Sequence, residues 1–444
     1  MYFAATRRLI AHASPVLVAQ LASIGMMVVD TAVLGHFGTV DLAAVAIGGG
    51  IYVSIVFALA GIVQSVAPLA AHLLGAERHD EVGGILRQGF WLALLLSFPG
   101  VAALLNPEPL LALAPMEPAV ALRVREYLGL LAWGLPAALF YRTFYAFSNA
   151  LGQARLLMLI GIAGLVLHGV LAWGLGLQGW SGVPLGALGC GISNMIVSWF
   201  DCLSALLVLL MSPLGRRYRP FSRWEGPRWP VWRELLRLGI PMGIANFVEI
   251  TAFTLVALLI APLGATAVAG HRIIANLAAL CYMLPLALAI ATLSAVGQAV
   301  GARDWRQAHI NTVAGIVLSA GLSTLTGFFL WLAAEPLVAA YTDDPAVRKV
   351  AVSLVIYIAV YQFFDALQTV AGHVLRAYRV TFVPMLVQLL AFWGIGLGLG
   401  WWLCFRWSPP LGVAGFWIAS VVSLIAAAIL LGGLLWKVIR EVES

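Results

Sequence analysis

A chain of 444 residues that is 62% hydrophobic and only 10% charged has too few polar groups to cover a water-soluble surface, because soluble domains carry about 25% charged residues. Its mean hydropathy of +0.98 points to lipid as the solvent, and its continuous apolar runs exclude a β-barrel, whose strands alternate over about ten residues. The formal charge of +6 comes from arginine, with Lys349 and Lys437 the only lysines; the arginines gather in loops between apolar runs, which argues against a nucleic-acid partner.

In chain order, apolar segments of spanning length fall near 13–35, 42–73, 84–105, 124–147, 156–178 and 185–211. A second set follows near 236–262, 266–299, 308–333, 348–374, 380–404 and 411–436. The fold class is therefore an all-α membrane protein with twelve spans. The run Leu9 to Phe37, after Arg7 and Arg8, is too long for a signal peptide and reads as a retained first span. Cys190, Cys202, Cys281 and Cys404 lie in or at the ends of apolar segments without metal-type spacing, and read as packing residues.

Basic residues set the orientation. Arg7, Arg8, Arg78, Arg87, Arg142 and Arg155 begin a series on one face. The stretch from Arg216 to Arg237 adds seven arginines, and Arg303, Arg306, Arg376, Arg379, Lys437 and Arg440 complete it. That puts 19 of the 25 basic residues on one side, against Arg123, Arg125, Arg348, Lys349 and Arg406 on the other, with Arg272 inside a span. Both termini are expected to be cytoplasmic.

The halves repeat. At a constant offset of 226, Pro15 meets Pro241, Gly38 meets Gly264, Gly75-Ala76 meets Gly301-Ala302, and "PLGALG" (184–189) meets "PLGVAG" (410–415). "EPAV" at 117–120 echoes "DPAV" at 344–347 with one residue of slippage. Six spans per half keep both copies in one orientation, a parallel repeat. The expected organisation is an N-terminal lobe at 1–211, an Arg/Pro-rich cytoplasmic linker at 212–234 and a C-terminal lobe at 235–444. Two like bundles facing each other leave a central cavity for alternating access.

Enzyme motifs are missing. Neither lysine follows a glycine, so there is no P-loop, and no His is followed by Glu. "GLGLQG" (174–179) matches the dinucleotide pattern but ends an apolar span with no strand before it. What remains is a set of acids inside spans: Asp30, Asp201, Glu249 and Asp365. A carboxylate at the centre of a membrane helix costs about 2.5–3.5 kcal/mol on insertion scales, and such groups mark ion or substrate pathways.

Asp365 has the richest surroundings, with Tyr361 at i−4, Gln368 at i+3, Thr369 at i+4, Tyr357 at i−8 and His373 at i+8 on its helical face. Around Glu249 lie Asn246 and Phe253, and Asn276 in the next span is placed to approach it. Asp30 shares a face with Ser23, Met26 and Met27, where flexible methionines suit varied apolar ligands. Asp201 lies toward the cytoplasmic end of its span and is expected to pair with Arg142 or Arg155. His36, His72, His168 and His271 read as packing or interfacial residues, and most tryptophans as an interfacial belt.

"MVVDTAVLGHFGTVDLAAVAIG" and "EITAFTLVALLIAPLGATAVAGHRIIANL", with "YTDDPAV" and "FFDALQTVAGHVLRAYR", resemble the multidrug and toxic compound extrusion (MATE) family over essentially the whole chain. The resemblance is NorM-like: Glu249 and Asp365 stand where that subgroup carries its C-lobe cation-site acids, Tyr361 matches a tyrosine lining that site, and Asp30 matches the first-span acid. It implies two six-helix lobes, no cofactor, inward Na⁺ or H⁺ as the coupling ion, and export of small amphipathic organic cations. It also implies a monomer in the cell inner membrane. Arg272 departs from the Gln that usually follows the "AGH" histidine. It could act on a nearby acid, compete with the coupling ion, or point to the interface. A lipid-linked saccharide flippase would call for a basic cavity, which three acids oppose. A membrane-embedded lipid-modifying enzyme would call for clustered acid–base or metal groups, and the sequence has none.

Overall fold

The computed structural model describes residues 1–112, 116–180, 182–221 and 225–443, and among these there is no strand. Among the described residues the first six of twelve long helices are α1 (Tyr2–Phe37), α2 (Thr39–Val63, continued after a turn as Val66–Gly75), α3 (His79–Leu105), α4 (Pro118–Ala150), α5 (Ala154–Trp173) and α6 (Ala187–Met211). The second six are α7 (Trp229–Leu259), α8 (Ala265–Gly301), α9 (Trp305–Leu332), α10 (Pro345–Ala377), α11 (Phe382–Leu389, continuing to Phe405) and α12 (Val413–Glu443). Eleven of them are long and apolar enough to cross a membrane. The remaining one, α4, has the length at 33 residues, but Arg123, Arg125, Glu126 and Arg142 dilute its apolar run. The twelve segments read from the sequence each fall on one of these helices.

Helix starts follow local chemistry. Pro118 and Pro345 occupy first-turn positions, where the missing N–H is no loss. Asp344 caps α10 by accepting from the Ala346 N–H at 2.8 Å, and Asp304 caps α9 by accepting from the Gln307 N–H at 2.9 Å. The "GLGLQG" stretch closes α5 as a π-helical turn, Gly174–Gln178, ending at Gly179 with φ of 72°.

The helices group into two compact units: Val18–Gly243, and Met1–Leu17 together with Ile244–Ser444. The unit boundaries therefore differ from the lobes read off the sequence, because residues 1–17 join the C-terminal half and 212–243 join the N-terminal one. Both boundaries fall two residues beyond an intrahelical proline, Pro15 and Pro241. Proline removes a helical hydrogen bond and kinks the helix, so it is a natural place for a helix to pass from one packing unit to the next.

In the N-terminal unit, α4 packs against α2, α3 and α6; in the C-terminal unit, α10 packs against α8, α9 and α12. The equivalent fourth helix of each repeat is thus the hub. Leu128, Leu131, Leu135 and Leu139 bury its apolar face in the first unit, and Leu354, Val355 and Ile358 do so in the second. The linker is docked to its unit. A short helix, Pro213–Tyr218, is followed by backbone held by α3: Arg87 donates to the Pro220 carbonyl at 2.7 Å, Trp91 Nε1 to the Glu225 carbonyl at 3.0 Å, and Gln88 Nε2 to the Gly226 carbonyl at 2.9 Å. Gln88 Oε1 also accepts from the Arg228 N–H at 2.8 Å. One turn earlier, Gly83 lets the Tyr218 carbonyl come so close that a Cβ would collide with it.

Candidate functional site

In the C-terminal unit, α7, α8 and α10 converge on the two acids. Asp365 is only 2% exposed and accepts a hydrogen bond from Gln368 Nε2 at 3.1 Å. The same Gln368 amide reaches Thr369 Oγ1 at 3.0 Å, and Gln388 of α11 donates to Gln368 Oε1 at 3.3 Å. Gln368 and Thr369, both buried, therefore form a polar shelf beside Asp365, as their i+3 and i+4 spacing predicts. Glu249 on α7 is half-buried and lies within electrostatic reach of Asp365.

The partner of Glu249 differs from the expected one. Asn276 is exposed on α8, and the residue of that helix that meets Glu249 is Tyr282, whose hydroxyl donates to the carboxylate. Six residues at 100° each leave Asn276 and Tyr282 about 120° apart around the helix, so they cannot share a face. Tyr361, 4% exposed, sits in electrostatic contact with Asp365, Glu249 and Tyr282, its ring edge-on to Phe253 at 6.5 Å and to Trp417 at 6.0 Å.

A fixed cation stands beside Glu249, supplied by Arg376 where the sequence singled out Arg272. Arg272 is exposed on α8. Arg376, counted above among the cytoplasmic positive residues, is 8% exposed, approaches Asn246 Oδ1 at 3.5 Å and lies within electrostatic reach of Glu249 and Tyr282. Its position in α10, eleven residues and about three turns after Asp365, was the signal available: it shares that helix's polar stripe.

The N-terminal unit holds the third acid. Asp30, 7% exposed on α1, is gripped on both oxygens, by His168 Nε2 of α5 at 3.0 Å on Oδ1 and by Asn194 Nδ2 of α6 at 3.0 Å on Oδ2. The far ring nitrogen of His168 meets Ser193 Oγ at 2.8 Å. His168 is fully buried and is the partner of an acid, which corrects its reading as a packing residue. Periodicity within α5 could not reveal this, because the contact lies 138 residues away along the chain. Met26 is half-buried near α5, and Met27 is 61% exposed.

Asp201 also departs from expectation. It makes no ion pair with Arg142 or Arg155 among the described residues, and its Oδ1 is buried without a hydrogen-bond partner. Arg142 instead spreads over the rings of Phe57, at 5.6 Å, and Tyr145, at 6.0 Å, held there by cation–π attraction and within electrostatic reach of Asp201.

Chemically, the C-terminal cluster presents two carboxylates, a tyrosine hydroxyl and amide oxygens, with a guanidinium beside Glu249, a set of hard oxygen donors for a small cation or a proton. The N-terminal cluster presents one carboxylate held by an imidazole and an amide, a set suited to proton exchange.

The MatE family matches residues 15–173 and 241–402 of this chain. The chain is 52% identical to the probable multidrug resistance protein NorM of Aromatoleum aromaticum, covering 100% of this chain and 96% of that protein. It is 36% identical to the multidrug resistance protein PmpM of Pseudomonas aeruginosa, covering 96% and 90%. Among solved structures, the eukaryotic MATE transporter AtDTX14 superposes with a TM-score of 0.89 over 99% of this chain and 98% of that one, at 20% identity. The outward-facing conformation of a multidrug resistance MATE family transporter of the MOP superfamily gives 0.89 over 99% and 97%, at 18% identity.

Proposed function

Because the chain belongs to the MatE family, as a NorM-like multidrug and toxic compound extrusion transporter and not an enzyme, we propose that it is an antiporter exporting amphipathic organic cations in exchange for inward Na⁺ at Glu249 and Asp365. The observation that carries this reading is that Glu249 links two neighbours: it lies within electrostatic reach of Asp365 on one side, and of the Tyr282 hydroxyl and the buried guanidinium of Arg376 on the other. Two carboxylates and one guanidinium leave one negative charge over, and an uncompensated charge inside a membrane protein is costly. One monovalent cation neutralises the cluster, so one ion per cycle binds there. Na⁺ needs several oxygens around it, whereas a proton needs one; the tyrosine hydroxyl and the polar shelf are what a proton would not require. Protons compete for the same carboxylates, and Asp30 is the proton or substrate group of the N-terminal unit. The protein works by alternating access as a monomer in the inner membrane, with both termini cytoplasmic.

The test is ethidium efflux from vesicles under separately imposed Na⁺ and H⁺ gradients. Efflux driven by Na⁺ at constant pH supports the reading, and efflux that ignores Na⁺ but follows an imposed pH gradient overturns the Na⁺ assignment. Orientation is tested with single cysteines in a chain stripped of its four native ones. Lys437→Cys should resist an impermeant thiol reagent in intact cells and Asp343→Cys should react; the reverse pattern would invert the topology.

A further inference from the structure

Asp201 is the acid that neither cluster uses. Its Oδ1 is buried with no hydrogen-bond partner, while the residue as a whole is only half-buried. Asp30 is the opposite: nearly sealed and hydrogen-bonded on both oxygens. A carboxylate serving to glue helices together would have its partners made, as Asp30 does, because an unmade hydrogen bond on a buried polar atom costs about 1–3 kcal/mol. Asp201 is left with one oxygen idle, beside a glycine that leaves it room. A Cβ on Gly164 of α5 would stand 3.0 Å from Oδ1, with Met26 Cε of α1 and Val197 Cγ1 also against that spot.

The two acids are joined by one stripe of α6. Asn194, Ser198 and Asp201 are spaced four and then three residues apart, so they share a helix face, and seven residues span about 10 Å. Asn194 holds Asp30 at the inner end. Ser198 Oγ donates to the Asn194 carbonyl at 2.9 Å and shares a hydrogen bond with the Tyr52 hydroxyl of α2. The charged and titratable groups that face Asp201 are Arg142 and Tyr141 of α4 and Cys202 of its own helix, while Met26 of α1 and Gly164 of α5 lie against the spot beside Oδ1. Arg142 ends on aromatic rings and forms no salt bridge with Asp201, so Asp201 can take up or lose a proton without breaking an ion pair. Among the described residues the Asp201 Oδ1 has no hydrogen-bond partner, and the guanidinium nearby repels a metal cation.

We propose that Asp201 is a second proton-exchanging station of the N-terminal unit, which loads and unloads the Asp30–His168 pair through water held along the Asn194–Ser198–Asp201 stripe. This rests on Asp30 being a proton-carrying group. A proton taken up at Asp201 leaves a neutral carboxylic acid; passing it inward restores the carboxylate and protonates the Asp30–His168 pair, and charge balances at each step.

The experiment uses the full chain in proteoliposomes with a trapped pH-sensitive dye, measuring proton movement set off by an ethidium gradient alongside equilibrium ethidium binding. Asp201→Asn should slow proton movement by about a hundredfold, the scale on which a positioned proton-transfer group acts, with ethidium binding unchanged. Asp201→Glu should restore it. Gly164→Ala, which crowds Oδ1 while leaving the carboxylate in place, should slow it too and covers the case in which Asp201→Asn fails to fold. If Asp30→Asn abolishes proton movement while Asp201→Asn and Gly164→Ala keep the wild-type rate, this inference falls alone. If Asp30→Asn itself leaves proton movement at the wild-type rate, the reading of Asp30 falls and takes the inference with it. Loss of ethidium binding in Asp201→Asn would make Asp201 a substrate site and overturn the proton role.

Discussion

The two units share a fold and differ in chemistry. At the repeat offset of 226, Asp30 corresponds to Val256, Glu249 to Ser23 and His168 to Gly394, while Asp365 corresponds to Leu139, or to Ala138 with the one-residue slip at the "PAV" loop. None of these three acids, Asp30, Glu249 and Asp365, has an acid opposite it in the other half. What the repeat keeps is architecture: the paired prolines before each unit boundary, the hub role of α4 and α10, and the "PLG" turn before the last helix of each half. Packing constrains both halves alike, whereas each polar cluster has to satisfy only itself. Asp30 is held by an imidazole and an amide, whereas Glu249 faces both a second acid and a permanent cation. On the proposed reading, one unit handles a proton and the other a metal cation.

The largest effect expected from breaking this division is in the C-terminal unit. Glu249→Gln or Asp365→Asn removes the surplus negative charge, and each should abolish gradient-driven ethidium efflux while expression stays near wild type. Wild-type efflux from both would make these acids structural. Next comes Arg376. Arg376→Gln leaves two uncompensated carboxylates, so the Na⁺ dependence of efflux should steepen as two cations are drawn in. Arg376→Lys, which keeps the charge, should stay hyperbolic. An unchanged Na⁺ dependence in Arg376→Gln would remove the guanidinium from the charge balance.

The smallest effect belongs to the N-terminal unit. His168→Ala leaves one oxygen of Asp30 without its partner, which costs about 1–3 kcal/mol for a buried group. It should lower the melting temperature in detergent while Na⁺ binding at the C-terminal unit is retained. Loss of Na⁺ binding in that variant would show that the two clusters are not chemically separate.

Much of the fold was legible in the sequence, because lipid as solvent forces long apolar helices, and all twelve segments register as composition. The acids were legible for the same reason: a charge in an apolar run stands out. Their partners were less so. Gln368 and Thr369 could be placed with Asp365 because they share its helix, and helical spacing is a local rule. Tyr282, His168 and Asn194 come from other helices, and the rotation of one helix against another does not appear in the spacing of either. Asn276 was the polar residue of α8 that looked available, but the facing side carried a tyrosine. Arg376 was hidden by a rule that works on average: basic residues near span ends sit at the cytoplasmic surface, yet this one turns inward against Asn246.

The central claim, that Glu249 and Asp365 bind one Na⁺ while Arg376 offsets one of their two charges, is tested most directly by titrating purified protein with Na⁺ by calorimetry at several pH values. One Na⁺ per chain should bind, absent in Glu249→Gln. The affinity should weaken as pH falls, because protonating a carboxylate removes the charge that holds the ion. No Na⁺ binding at any pH, or binding that survives Glu249→Gln undiminished, would contradict the account.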